Sequence, residues 1–454
     1  MSGILPAALE GDLGRRVLSA QRDWRAAGVA AAVVRDGGLV WTGGAGAARV
    51  GADGAPELDP REDVQFRIGS ITKTFTAALV MQCRDEGLLE LDDRLGRFLP
   101  DTKHGDLTVR RMLCHLSGLQ REPVGEVWER PEGPDREELL AGLEQAEDVL
   151  PPGRRWHYSN LAFSLLGEVV SRLRHTTWEQ ALSQHLLEPL GLLRTTVRRS
   201  VPHATGYYSH PYADVLLEEP EFPGNAFAPA AELWSTPADL ARWAAFLADP
   251  DPAVLAPATL EEMCHPQVMH DLEAWSLGWG LGLMLHRRGD RILVGHDGAM
   301  PGFLAGMAIR RSEKVGAVVM ANTSAGADPG GLAIDLALAV VDGDPQQQAP
   351  WRPGPEVPPE AAELLGGWWS EGSRFVFAWR EGRLEVRRDG APASVAPAVL
   401  AREDEDRWRS VSGREQGEVL RVVRAADGTV DRLYWATYPF TREPRTFGAE
   451  PMPF

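Results

Sequence analysis

Periodic apolar residues predict alternating helices and strands over the first three quarters of the chain. Residues 13–27 carry apolar side chains on one helical face, and Gly28–Val34 and Leu39–Trp41 then read as two strands around a tight turn. The other elements predicted by these patterns are helices at Thr108–Leu119, Arg136–Glu147, Leu161–Leu173 and Gly331–Val341, and strands at Gly278–Leu285, Arg291–Gly295, Phe303–Arg310 and Val315–Ala321.

Beyond residue 361, short strands alternate with Gly-containing turns, a pattern typical of a small antiparallel β-barrel. Residues 346–360 are rich in Pro and Gln and are interpreted as a linker. We therefore predict a first domain at residues 1–345 and a barrel domain at residues 361–454. The predicted strands of the barrel are Phe375–Trp379, Leu384–Val386, Val419–Val423 and Leu433–Phe440.

Composition and charge disfavour several classes of function. The 454 residues carry a formal net charge of -18, which argues against nucleic acid and anionic membranes as partners. The N-terminus has neither the basic nor the apolar region of a secretory signal, and no apolar run is long enough to span a membrane. The three cysteines are scattered, and none of the eleven histidines has a metal-ligand spacing. We expect a cytoplasmic protein that needs no metal and no cofactor.

The stretch Phe66–Leu79 carries the strongest candidate chemistry. A turn at Gly69 leads into an apolar helix on which Ser70 and Lys73 lie one turn apart on the same face. A buried Lys can be neutral enough to take the proton of a serine hydroxyl, which Arg cannot do. A chance Ser-x-x-Lys on a core helix is the alternative. Because the chain has only three lysines, such a chance match is uncommon.

Two further polar motifs lie beside predicted buried elements. Tyr158-Ser159-Asn160 stands directly before a strongly apolar helix, where its side chains would serve equally well as a simple N-terminal cap. His296-Asp297-Gly298 follows a strand and opens a Gly-rich turn. Taken alone, each motif is compatible with a purely structural role.

Taken together, Ser70-Ile71-Thr72-Lys73, Tyr158-Ser159-Asn160 and His296-Asp297-Gly298 resemble the serine β-lactamase and penicillin-binding-protein superfamily, specifically its class C-like serine hydrolases. The resemblance spans roughly residues 15–345 and includes the stretch His115–Leu119. It implies an α+β fold in which an antiparallel sheet is flanked by helices and an all-helical lobe is added. The catalytic cleft would lie between the sheet and the lobe.

The resemblance also implies roles for the motif residues. Ser70 would attack an acyl carbon, and its backbone N–H and that of Ala299 would form the oxyanion hole. Lys73 and Tyr158 would share the proton transfers, and either of them would be the general base.

The second and third motifs would complete the site. Asn160 would orient Lys73 and the substrate, and His296 would take the place where many members carry Lys. Asp297 stands where β-lactamases and D,D-peptidases mostly carry Thr. A carboxylate facing the cleft at this position would repel the carboxylate of a penicillin, whereas one pointing away would have no such effect.

Residues 200–230 form a long irregular segment, and loops of this length are usually functional or disordered. The aromatic side chains of this segment favour a substrate wall. We take four aromatic residues as candidate substrate contacts: Tyr207, Tyr208, Trp234 and Phe303.

The predicted barrel is similar to the lipocalin-like domain of some family members, including the penicillin-binding-protein-type thioesterases, which are stand-alone peptide cyclases. These enzymes take a linear non-ribosomal peptide from a peptidyl carrier protein onto serine and release it as a macrocycle. The resemblance implies a peptidyl thioester or other acyl substrate. It also implies that Arg442 or Arg445, near the chain end, reaches the substrate. A solvated Arg on the barrel rim is the alternative.

Other hypotheses stay open. A cytosolic esterase, amidase or D-residue-specific peptidase would resolve the acyl-enzyme with water instead of an amine. A β-lactamase or D,D-carboxypeptidase is disfavoured by Asp297 and by the lack of a secretory signal. An inactive homologue used as a binding module would form no acyl-enzyme.

Overall fold

The computed structural model describes residues 5–61, 63–100, 102–346, 350–354 and 356–445. The chain divides into two compact units, Met1–Gln346 and Gln347–Phe454. The α+β class predicted from the sequence is confirmed, with a large antiparallel sheet and helices in the first unit and an antiparallel barrel in the second.

An antiparallel sheet organises the first unit. The strands of this unit are β1 (Gly28–Arg35), β2 (Gly38–Gly46), β3 (Arg49–Val50), β4 (Pro56–Leu58), β5 (Phe66–Arg67), β6 (Tyr207–Ser209), β7 (Leu216–Glu218), β8 (Trp234–Ser235), β9 (Val268–Met269), β10 (Leu277–Trp279), β11 (Met284–Arg288), β12 (Arg291–Met300), β13 (Phe303–Arg310) and β14 (Val315–Ala321). In the described residues the main sheet has eight strands in the order β2-β1-β14-β13-β12-β11-β10-β9. The central strands β1 and β14 are almost wholly buried, as expected for a sheet that is covered on both faces.

Helices cover both faces of this sheet and form the lobe beside it. They are α1 (Ala7–Trp24), α2 (Thr72–Asp85), α3 (Val109–Leu113), α4 (Arg136–Gly142), α5 (Asn160–Arg174), α6 (Trp178–Leu182), α7 (Ala228–Ala231), α8 (Pro237–Ala248), α9 (Pro257–Met263) and α10 (Pro329–Gly343). Apolar residues of α1 and α10 pack on one face of the sheet, and those of α2, α5 and α8 belong to the larger core on the other face. No helix within the described ranges combines the length and the hydropathy needed to cross a bilayer.

The α2 helix is the buried axis of the larger core. Each of its residues from Thr72 to Cys83 is buried, which explains why apart from Lys73 and Gln82 this stretch consists of apolar residues and threonines. The Trp243 ring stacks on Phe75 with centroids 3.9 Å apart, and its indole N–H donates to Thr74 Oγ1 at 2.9 Å. These contacts fix α2 from the side of α8.

Several predicted elements differ from the structure. The strand predicted at Arg291–Gly295 continues to Met300 as β12, so the motif His296-Asp297-Gly298 lies within a strand and not in a turn after it. The helix predicted at Thr108–Leu119 is only α3, and the helix at Arg136–Glu147 ends with α4. The strand predicted at Gly278–Leu285 is divided into β10 and β11. Between these strands Gly282 adopts a φ of +77°, and a Cβ at Gly282 would lie 2.2 Å from Ala77 Cβ in α2. The chain therefore bends where it passes the helix, because only glycine fits there.

The second unit is a barrel whose strands follow one another in chain order. It consists of α11 (Pro359–Ala362) and the strands β15 (Gly366–Ser370), β16 (Ser373–Arg380), β17 (Arg383–Arg388), β18 (Ala398–Arg402), β19 (Arg407–Ser410), β20 (Val419–Arg424), β21 (Val430–Trp435) and β22 (Tyr438–Phe440). Trp369 and Thr441 exchange backbone hydrogen bonds of 2.7 and 3.0 Å and nearly close the barrel. Its core is packed with side chains that include Trp368, Phe377 and Leu433. The strand predicted at Leu433–Phe440 is instead a hairpin that turns at Ala436.

Candidate active site

Ser70 lies in a 3₁₀ turn, Gly69–Ile71, directly before α2. Lys73 is fully buried one turn later, and its Nζ lies 3.1 Å from Ser70 Oγ. The same Nζ donates to Asn160 Oδ1 at 2.6 Å and to the Ala230 carbonyl at 2.8 Å. Ser70 itself is only partly buried, so the hydroxyl stands between a buried amine and the open cleft.

Burial lowers the pKa of Lys73 well below its ordinary value of 10.5. Glu122 opposes this shift in the pKa, whereas the nearby Arg121 guanidinium adds to it. A neutral amine has two protons, and Asn160 and Ala230 offer two fixed acceptors for them. The lone pair of the Lys73 amine is then free to face the Ser70 hydroxyl, which is the arrangement that a general base requires.

Tyr158 lies on the other side of the nucleophile. Its phenol is hydrogen bonded to Ser70, and Lys73 Nζ lies 4.7 Å from the centroid of its ring. Burial raises the pKa of the phenol above its ordinary value of 10.0, although the bond to Ser70 acts in the opposite direction. Tyr158 is therefore a protonated donor at neutral pH.

His115 supports Tyr158 from behind. The two rings stack with centroids 4.3 Å apart and planes inclined by 27°. His115 Nδ1 accepts the backbone N–H of Ser159 at 3.1 Å, and burial lowers the pKa of this imidazole well below 6.5, so that it stays neutral. The resemblance includes the stretch His115–Leu119, but nothing in the sequence indicates that His115 packs against Tyr158.

Asn160 begins α5, and the preceding Ser159 caps the helix by accepting the Ala162 N–H at 3.1 Å. The Asn160 side chain has both ends engaged: its Oδ1 accepts from Lys73, and its Nδ2 donates to the Glu122 carboxylate at 2.9 and 3.0 Å. Glu122 therefore fixes the orientation of the Asn160 amide. The sequence analysis did not identify Glu122, because no motif or spacing links it to Ser70 or Asn160.

Two glycines bring the backbones of Ser70 and Ala299 together. A Cβ on Gly298 would lie 1.9 Å from the Ile68 carbonyl oxygen and 3.2 Å from Ser70 N, and a Cβ on Gly69 would lie 2.4 Å from Ala299 N. Only glycine allows this approach. The backbone segments that contain Ser70 and Ala299 therefore lie side by side, and an oxyanion hole formed by their N–H groups stays a prediction.

His296 lies on β12 with its ring 5.4 Å from Trp279 and 6.4 Å from Tyr158 between centroids. Burial lowers the pKa of His296 from 6.5 to about 3. The imidazole is neutral, and its Nδ1 is 2.5 Å from the Asp297 carbonyl oxygen, so Nδ1 carries the proton. Nε2 is then an acceptor, and among the described residues it has no hydrogen-bond partner.

A cavity of about 760 Å³ connects these groups in the first unit. Ser70, Tyr158, Asn160, His296 and Asp297 line it, whereas Lys73 is buried and does not. Its aromatic wall is made by Trp128, Trp156, Phe227 and Trp279, brought together from separate parts of the chain.

The four aromatic residues predicted as substrate contacts lie elsewhere. Trp234 and Phe303 are buried against each other with ring centroids 5.2 Å apart, and Tyr207 is buried with its hydroxyl accepting the Val50 N–H at 2.9 Å. Tyr208 is partly exposed on β6 and does not line the cavity. The structure thus places three of them in tertiary packing, which the local sequence pattern does not reveal.

The two arginines predicted to reach the substrate belong to the barrel unit. Arg442 stacks 3.7 Å above the centroid of the Trp368 ring and donates to the carbonyls of Glu363, Leu365 and Gly367. These contacts give Arg442 a structural role within the barrel. Arg445 is partly buried at the end of the described residues, and its contact with a substrate stays a prediction.

Sequence comparison agrees with this geometry. A family model described as Beta-lactamase matches residues 15–342, and a model of a domain of unknown function, DUF7586, matches residues 357–442. The chain belongs to the beta-lactamase family, whose fold is used by serine hydrolases such as amidases, peptidases and carboxypeptidases.

Three similar proteins illustrate the range of this family. A human protein named beta-lactamase-like 1 is 30% identical over 404 residues, which is 82% of this chain and 77% of that protein. A D-stereospecific amidohydrolase from Streptomyces is 25% identical with a TM-score of 0.61, over 72% of this chain and 98% of that chain. SurE is 26% identical with a TM-score of 0.60, over 96% of this chain and 99% of that chain.

Proposed function

We propose that the protein is a serine acyltransferase that accepts a peptidyl thioester from a carrier protein and releases the peptide by head-to-tail cyclisation. The observation that carries the acyl-transfer part is the placement of Ser70 Oγ, 3.1 Å from a buried Lys73 amine and hydrogen bonded to the Tyr158 phenol, in an open cavity. The choice of cyclisation is supported by the resemblance of the three motifs and of the C-terminal barrel to the penicillin-binding-protein-type thioesterases.

In the first half-reaction Ser70 Oγ attacks the thioester carbon, and its proton passes to the neutral Lys73 amine. The negative charge that develops on the carbonyl oxygen meets the N–H groups of Ser70 and Ala299. The carbon–sulfur bond then breaks, and the departing thiolate takes a proton from the Tyr158 phenol, which regains one from Lys73. The products are an acyl ester on Ser70 and a free carrier thiol.

In the second half-reaction the N-terminal ammonium of the same peptide first loses one proton to solvent, and the neutral amine then attacks the acyl ester. An amide bond forms, the bond from the acyl carbon to Ser70 Oγ breaks, and the amine proton returns to Ser70 through Lys73. The cavity of about 760 Å³ lies toward the upper end of the volumes of small-molecule sites, which suits a peptide that must fold back on itself. A D-residue at the acyl end is part of the proposal and is supported by the similarity to a D-stereospecific amidohydrolase.

Hydrolysis by a D-specific amidase or peptidase is the second candidate, favoured by the same amidohydrolase similarity. It shares the acyl-enzyme and differs only in that water replaces the amine. The two functions are separated by incubating the enzyme with a peptidyl thioester that has a free N-terminus and a D-residue at its acyl end. Chromatography with mass detection then shows the product: the proposal predicts the macrocycle, 18 mass units lighter than the linear acid. Linear acid alone would establish the hydrolase.

A further inference from the structure

Asp297 is a carboxylate without a counter-ion in the active-site cleft. It lines the cavity, and among the described residues it forms no hydrogen bond and no ion pair through its side chain. Its position is built into the fold, because a Cβ on Gly330 at the start of α10 would lie 2.1 Å from Asp297 Oδ1. The glycine leaves space for the carboxylate at this end of the cleft.

The surroundings of Asp297 are negative. Asp328 lines the same part of the cavity, is exposed, and accepts the Gly331 N–H at 2.9 Å. Glu219 also lines the cavity and accepts the Ser324 hydroxyl. The one cation lining the cavity in the described residues is Arg121, which pairs with Glu122 at 3.5 Å and lies over the Tyr158 ring.

His296 gives an independent reason to expect a donor in this region. Its side chain is 2% exposed and lines the cavity, and Nε2 is a buried acceptor without a partner among the described residues. A buried polar atom that is left unpaired destabilises a protein unless a ligand satisfies it. The unpaired groups at this end of the cleft, the His296 Nε2 and the Asp297 carboxylate, are both acceptors, so a ligand that only donates hydrogen bonds fits them.

We infer that His296, Asp297 and Asp328 form a subsite for a primary ammonium group, and that its occupant is the free N-terminus of the linear peptide. An ammonium has three donors and no acceptor, and on a flexible chain it needs no fixed coordination geometry. The subsite holds the amine in the same cleft as the acyl carbon on Ser70.

This inference rests on the proposed function, because the proposed function supplies the substrate. The test is independent of it, since it measures binding without reaction. The Ser70→Ala protein is titrated with a peptidyl thioester that has a free N-terminus and with the N-acetylated form of the same thioester. Calorimetry at low ionic strength is expected to show about tenfold tighter binding of the free amine, the value of one charged hydrogen bond. Adding Asp297→Asn or Asp328→Asn is expected to reduce that ratio toward one.

A matched control is available on the same helix. Asp335 is exposed in α10, outside this cavity, and Asp335→Asn changes the net charge by the same amount. The Ser70→Ala/Asp335→Asn protein is expected to keep the full preference for the free amine. Equal affinity for both thioesters, failure of both to bind, or loss of the preference in the Asp335 control would overturn the inference. Because the readout is binding, a failure of cyclisation with the preference intact would count only against the proposed function.

Discussion

Lys73 and Asn160 form the shortest of the hydrogen bonds that fix the buried amine, 2.6 Å from Nζ to Oδ1. The contact determines more than the position of Lys73. Because Glu122 holds the other end of the amide, Asn160 can present only its oxygen to the amine. The direction of the Lys73 lone pair toward Ser70 thus depends on Glu122, because Glu122 fixes the Asn160 amide that binds the amine.

Replacing Lys73 tests its role as the proton acceptor. Lys73→Met keeps much of the side-chain volume and removes the amine, and Lys73→Arg keeps a cation that does not deprotonate. We expect both variants to lose at least about a hundredfold in the rate of Ser70 acylation. Stopped-flow detection of thiol release measures this rate, and circular dichroism controls for folding. A Lys73→Arg protein with more than a tenth of the wild-type rate would contradict the assignment.

Removing the Tyr158 hydroxyl tests the proton donor. Tyr158→Phe preserves the ring stacked on His115 and is expected to lower the acylation rate roughly a hundredfold with thioesters of poorly acidic thiols. Thiophenol esters, whose leaving groups need no proton, are expected to lose far less. An equal loss with both leaving groups would show that Tyr158 acts in another way.

His115 is expected to act as a positioning residue for Tyr158. The ring of His115 contacts the phenol and not the cleft nucleophile, so His115→Asn keeps an acceptor for the Ser159 N–H and removes the stacking. Asn also tolerates the positive φ of 59° at this position. We predict a reduced kcat with KM nearly unchanged, and no further loss when Tyr158→Phe is added. An additive loss in the double variant would rule out this role.

Asp297 is expected to lower stability at neutral pH. Burial and the neighbouring Asp328 raise the pKa of Asp297 from 3.8 to about 6. A carboxyl whose pKa is higher in the folded than in the unfolded protein stabilises the fold fully when the pH is below its unfolded-state pKa. That stabilisation is lost as the pH rises through its folded-state pKa. The unfolding free energy of Asp297→Asn minus that of wild type is therefore expected to be about 1–3 kcal/mol larger at pH 8 than at pH 4.

Urea unfolding at both pH values measures this gain. Asp335→Asn, which removes an exposed carboxyl on α10, provides the matched charge control. A difference in unfolding free energy between Asp297→Asn and wild type that is the same at both pH values would contradict the burial of this carboxylate.

The buried ion pair of Arg67 and Glu232 is predicted to be essential for the fold beside the cleft. Arg67 Nη2 donates to Glu232 Oε2 at 2.8 Å, and both side chains are at least nine-tenths buried. Arg67→Met leaves the Glu232 charge without its partner, and we expect a loss of about 3–5 kcal/mol in unfolding free energy. Arg94→Met, which breaks an exposed pair with Asp106, is expected to change it by less than about 1 kcal/mol. Similar losses in the two variants would contradict this.

Local patterns made two of the candidate site residues conspicuous because these residues lie at the ends of strongly apolar elements. Ser70 precedes the wholly buried α2, and Asn160 begins α5, so both stand out against an apolar background. Most strands of the main sheet were also predictable. The exceptions are the short edge strand β9, the continuation of β12 beyond Gly295, and the break at Gly282, which is caused by a contact with α2.

The cleft wall was predictable only in part: Phe227, in the segment 200–230, lines the cavity, whereas tertiary packing decides the rest of the wall. Trp279 and Glu122 come from separate segments, and no local pattern links either of them to Ser70. Conversely, Tyr207 and Phe303 are aromatic residues of the kind that line substrate sites, but both are buried in the protein interior. An aromatic side chain fits both environments, so its sequence position alone does not choose between them.

The central claim is that the hydroxyl of Ser70 becomes covalently acylated, and intact-protein mass spectrometry tests it directly. Wild-type protein and Ser70→Ala are mixed with the same D-terminated peptidyl thioester and quenched in acid within seconds. The account predicts that wild type gains the mass of the peptidyl group and loses it again as product appears, whereas Ser70→Ala gains nothing. An equal adduct on Ser70→Ala, or a wild-type protein that is modified neither by the thioester nor by a fluorophosphonate, would contradict it.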